Sequence, residues 1–230
     1  MRRTRWLGFA VSIAAVALLG LLAAAPAQAT ILTLQITSDH CTGGCLGGLT
    51  SLGTVTVNDA GGNLAFSIDL TSSNSGIVKT GFDGSFAFNL VNNNVITYSA
   101  ITATGGAAFT PVGGNPVGAQ NLNQFDGFGS FEYAIIRTQN GGGAQPRVTN
   151  LSFSIDAAAD LTVNDLQQTN FAGGSTFFVV DVISGVTGNT GLVDAGSPSN
   201  RVPAPASLML LGTALVGLGA VRRFAARRRS

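Results

Sequence analysis

Chemically active side chains are scarce in this chain, whose 230 residues include one histidine, one tryptophan, one lysine, one glutamate, two tyrosines and two cysteines. Each scarcity closes a class of chemistry. Any nucleophile-His-acid arrangement would have to be built on His40, and no G-x-S-x-G, no H-E-x-x-H and no Gly-rich phosphate loop ending in Lys-Ser or Lys-Thr is present. Cys41 and Cys45, with only His40 and Asp39 beside them, lack the second ligand pair of a structural zinc site. A calcium site at Asp83 or Asp126 would need further oxygen ligands that no loop supplies as a run. A glycosidase needs two carboxylates facing across a cleft, so Glu132 would require an Asp brought near by folding. The expectation is a non-enzymatic protein with no catalytic residue, metal or cofactor.

Charge is also scarce, and it is unevenly placed. Eight of the twelve cations lie in the termini: Arg2, Arg3, Arg5, Arg222, Arg223, Arg227, Arg228 and Arg229. Between Thr30 and Val202 only Lys79, Arg137, Arg147 and Arg201 stand against all eleven acids, a balance of −7. Such a segment repels a phosphate backbone, which argues against nucleic acid as a partner.

The amino terminus has the three parts of a secretory signal: basic MRRTR, an apolar stretch over 6–24, and small residues at Ala27 and Ala29 in the pattern A-x-A. Cleavage after Ala29 and passage through the Sec export machinery are expected. In an oxidising compartment Cys41 and Cys45 of HCTGGC would form a disulfide. Its loop is so short that it removes little chain entropy, and its effect would be local. The three-residue gap differs from the C-x-x-C spacing of redox pairs.

Between the termini apolar and polar residues alternate with period two. In NLAFSIDL, Leu64, Phe66, Ile68 and Leu70 share one strand face, while Ala65, Ser67 and Asp69 share the other. Similar runs begin at Thr30, Gly53, Gly84, Asn94, Ser130, Arg147 and Ser175, giving about eight strands. They are separated by NDAGGN, VNNN, TPVGGNPVG and QNGGGAQP, residues that fix a bend or tolerate positive φ. AAADLTVNDLQ, 157–167, reads as either a short helix or an edge strand. TGFDGSFAFNL and QFDGFGSFEYAI echo each other, each Asp-Gly reading as a tight turn into a core strand. The fold expected is all-β: an antiparallel β-sandwich, jelly-roll-like, with one buried face per sheet, flanked by an N-terminal signal helix and a C-terminal transmembrane helix.

The last 29 residues, VPAPASLMLLGTALVGLGAVRRFAARRRS, place Val202, Pro203, Ala204 and Pro205 before an uncharged apolar run over 208–221 and an arginine-rich end. Counted from Ala204, the run is long enough for a marginal membrane span. Arg222, Arg223, Arg227, Arg228 and Arg229 would stop it on the cytoplasmic side, leaving the middle of the chain outside, as the N-terminal signal also requires. This three-part tail resembles the PEP-CTERM sorting signal of Gram-negative bacteria, with Ala204 where that family usually has Glu. The resemblance implies an exosortase-type processing protease as partner and cleavage near the motif.

The expected organisation is therefore a signal peptide over 1–29, a passenger domain over 30–201 and a sorting segment over 202–230. An inner-membrane-anchored precursor would become a cell-surface or extracellular protein of a biofilm or exopolysaccharide matrix. A secreted carbohydrate-binding module is the alternative, and a hydrolase a weaker one. With Trp6 inside the signal, sugar stacking would fall to Tyr98, Tyr133 and the phenylalanines, most of which lie on the inferred core face.

Overall fold

The computed structural model of the protein describes residues 29–81, 84–120, 122, 125, 127–139, 147–171, 174–196 and 198–203. In chain order the strands are β1 (Thr30–Ile36), β2 (Ser38–Asp39), β3 (Gly53–Asn58), β4 (Leu64–Asp69), β5 (Gly76–Ile77), β6 (Phe86–Leu90), β7 (Ile96–Tyr98), β8 (Thr102–Ala103) and β9 (Phe109–Pro111). There follow β10 (Tyr133–Arg137), β11 (Asn150–Ala157), β12 (Leu166–Gln167), β13 (Thr169–Phe171), β14 (Gly174–Thr176), β15 (Phe178–Ile183), β16 (Thr190–Ala195) and β17 (Pro198–Pro203). All pairings are antiparallel. One sheet runs β17-β1-β3-β4-β11-β7, with β8 beside β11. The other runs β2-β16-β15-β6-β10-β9, with β12 and β5 attached, and β13 and β14 form a separate hairpin.

The core lies between the two large sheets and is dominated by phenylalanine. Alternation in LAFSID puts Leu64, Phe66 and Ile68 inside and Ala65, Ser67 and Asp69 in solvent, as the sequence pattern predicts. Phe66 stacks on Phe153 of β11 with ring centroids 4.8 Å apart. Across the gap it meets Phe88 at 5.1 Å, Phe178 at 5.9 Å and Phe86 at 6.1 Å. These rings join the two sheets into one body.

The second sheet departs from the expectation of one buried face. All five residues of β6 are buried, because Ala87, Ala134, Val179 and Leu192 on its outer side are covered by Leu122, Phe125, Phe128 and Phe131. Phe128 N donates to Phe125 O at 2.7 Å, closing a tight turn as the sequence suggests, but Phe125, Phe128 and Phe131 lie over the sheet as a cover and β10 begins only at Tyr133. Small residues on the sheet and large ones on the cover make the layers fit. A Cβ on Gly84 would come within 2.7 Å of that of Ala134 and 3.4 Å of Phe125 Cζ. The ambiguous 157–167 segment resolves into a single 3-10 turn, Val163–Asp165, followed by β12.

The two ends of the first sheet differ. At β7 the Asn115 side chain accepts from Tyr98 N at 2.9 Å and donates to Tyr98 O at 3.0 Å, replacing a strand neighbour with an amide. At the opposite edge β17 pairs with β1, setting Thr30 against Pro203 and Ile31 against Val202. No helix among the described residues is long and apolar enough to cross a membrane. The expected signal and transmembrane helices fall in 1–28 and 204–230, outside the described residues.

Candidate functional site

Asn89 lies on the outer side of β6, at the rim of the covered patch, and is buried. A buried amide must be bonded on both its oxygen and its nitrogen. Its Oδ1 accepts from Glu132 N at 2.6 Å, and its Nδ2 donates to Thr169 Oγ1 at 2.6 Å and Ser130 O at 3.2 Å. One side chain therefore ties the approach to β10 to the start of β13. Close packing assists: Gly129 has φ +92°, and a Cβ there would lie 2.3 Å from Thr169 Cγ2. Gln120 N donates to Glu132 O at 2.8 Å, which brings a third segment alongside.

These segments enclose an open cleft of about 430 Å³, lined chiefly by Asn89, Asn93, Gln120, Glu132, Gln167 and Gln168. Amide side chains supply donors and acceptors together, which suits ligands rich in hydroxyl or amide groups. Among the described residues the lining contains no Lys, Arg or His, and Glu132 is its one carboxylate. Burial raises the Glu132 carboxyl above its ordinary value. The neighbouring Tyr133 hydroxyl is pushed up to about 12, first by burial and then by the Glu132 charge, and it donates to Asn94 O at 2.6 Å. Phe131 also lines the cleft but is only 1% exposed, so it offers no broad face for stacking.

Glu132 was legible as an isolated carboxylate, but the amides around it were not. The available signal was Asn89, a polar residue in the otherwise apolar FAFNL and at an outward strand position. The other amides converge from segments far apart in sequence.

The remaining sequence candidates lie elsewhere. Cys41 and Cys45 are joined by a disulfide, with Cα atoms 5.6 Å apart. Its loop is pinned to the β15–β16 turn, where Asn189 Nδ2 and Thr187 Oγ1 donate to Gly44 O and Ser184 Oγ donates to Cys45 O. His40 stacks on Phe128 at 4.2 Å. Val202 and Pro203 lie in β17, and Ala29 immediately precedes β1. Ala27, Asp83, Asp126, Ala204, Pro205 and the five C-terminal arginines fall outside the described residues. Comparison with protein-family models, with curated proteins and with solved structures finds no match to this chain.

Proposed function

We propose that the protein is an exported, non-enzymatic cell-surface or extracellular-matrix protein, carried out by the Sec machinery and released near its PEP-CTERM-like motif by an exosortase-type protease. The observation that supports this reading most is where the folded strands begin and end. β1 starts at Thr30, the residue after the expected signal cleavage, and β17 ends at Pro203, inside the expected sorting motif. Cleavage at either point would leave the paired strands whole. The test is the intact mass and location of the protein in fractionated cells of its own organism. A chain starting at Thr30 and ending near Pro205, found outside the membrane, is the expected result. A full-length chain held in the membrane would refute release.

The cleft favours a second reading, compatible with the first, in which the passenger holds a polysaccharide of the matrix. Convergent amides around one carboxylate suit a neutral or amine-bearing glycan, and the balance of −7 over residues 30–202 would draw in a cationic one. Glycan arrays on the exported protein should show binding to such polymers and none to sulfated ones. Glu132→Gln should weaken an amine-bearing glycan about tenfold, the loss expected for a charge-assisted hydrogen bond, and should leave a neutral one nearly unchanged. Equal loss for both would remove the ionic role of Glu132.

A further inference from the structure

We infer that Asp59 is the receptor for the α-ammonium group that signal cleavage creates at Thr30. The inference rests on the export reading above, and it concerns what processing does to the folded domain.

Thr30 N donates to Asp59 Oδ1. The same carboxylate accepts from Val163 N through Oδ2 at 3.2 Å, while Asp59 N donates back to Thr30 O at 3.2 Å. Asp59 therefore joins the first residue of β1 to the 3-10 turn Val163–Asp165. In the precursor, Thr30 N is a peptide nitrogen with one hydrogen and no charge. Hydrolysis of the Ala29–Thr30 bond adds hydroxide to the Ala29 carbonyl carbon and a proton to the Thr30 nitrogen. That amine takes a further proton from solvent. The nitrogen already in contact with a carboxylate thereby becomes a cation, and a neutral-to-charged hydrogen bond becomes a charged pair of greater strength.

The surroundings suit a positive charge. Apart from Arg201 on β17, the other charged groups of the described residues on the packed elements are acidic. Asp160 lies against the 59–63 turn, where a Cβ on Gly62 would meet its Oδ1 at 2.7 Å. Asp165 accepts from Thr162 N and Oγ1 at the head of the 3-10 turn. The one cation on β17, Arg201, pairs through its backbone with Leu32, two residues further along β1. The new pair also forms beside the sorting motif, since Thr30 faces Pro203. Maturation of one terminus thus strengthens the seam from which the other departs.

The test uses the exported protein from its own cells, with its start verified by mass, and follows acylation of the Thr30 α-amine at pH 8 by mapping the N-terminal peptide. In low salt the amine should react about tenfold more slowly in the folded protein than in the same protein unfolded in urea. It should also react about tenfold more slowly than in folded Asp59→Asn, which keeps an acceptor but loses the charge. In 1 M NaCl, where the screening length falls to about 3 Å, the gap should narrow. A protein that starts at Thr30 but reacts at the same rate folded, unfolded and in the variant would overturn the inference and leave the export reading standing. A start at any other residue would overturn both.

Discussion

Phe66→Ala should be the most damaging single substitution in the domain, lowering its unfolding free energy by about 3–5 kcal/mol. Phe66 is the ring at which the sheets meet, packed against Phe153 in its own sheet and Phe86, Phe88 and Phe178 in the other. Truncation removes both the transfer free energy of the ring and the contacts of its four neighbours, and β4 cannot move inward without breaking its ladders to β3 and β11. A domain of this size has about 5–15 kcal/mol in all, so a large fraction of its stability would be lost. Urea titration would measure the loss, with the exposed Ser67→Ala as reference, expected within about 0.5 kcal/mol of wild type. A Phe66→Ala midpoint close to that of Ser67→Ala would mean that the rings are not the joint between the sheets.

Asp181→Asn should have the second-largest effect, and in the opposite direction at neutral pH. Asp181 is fully buried in β15, where its carboxylate accepts from Thr80 N at 2.6 Å and Thr80 Oγ1 at 2.8 Å. Burial pushes its pKa up to about 6 from an ordinary 3.8, outweighing the lowering effect of the Thr80 bonds. A carboxyl whose folded value is raised binds its proton more tightly in the folded state, so its ionisation opposes folding above about pH 6. As pH falls from 7 towards 4 that penalty is relieved, by about 3 kcal/mol at most. Below the ordinary value both states are protonated and the effect is constant. Asparagine keeps an acceptor for Thr80 and cannot ionise. The variant should therefore be more stable than wild type at pH 7, with the difference shrinking as pH approaches 4. A wild-type-minus-variant difference that is flat between pH 4 and 8 would show that Asp181 is not linked to folding.

Strand positions were largely legible because alternation is a local signal, and β1, β3, β4 and β11 fall where the periodicity puts them. Sheet order was not. A run such as GTVTVN reports which of its faces is apolar but carries no label for its neighbour, so one list of strands is compatible with many orders, of which the β1-β3-β4 meander and its crossovers are one. The buried outer side of the second sheet escaped for a related reason. FAFNL reads as a strand with one apolar side, Asp181 makes the second side of FVVDVI look solvent-facing, and Ala87 and Val179 acquire their meaning only when Phe125, Phe128 and Phe131 lie on top. AGSPSNRVP offered little alternation, and two prolines argue against an interior strand. Yet 198–203 takes an edge position, where that objection is weakest. The cleft was the least legible, since its amides come from three separate stretches of chain.

The pairing of Thr30 with Pro203 gives the domain a topology close to that of a closed ring. Opposed residues on antiparallel neighbours are only about 4.5–5.5 Å apart at their Cα atoms, so a linker of a few residues could join the two ends without disturbing either strand. A break between Pro203 and Thr30 is then one opening among several that the same fold would accept, and the exposed turn containing Gly61 is another.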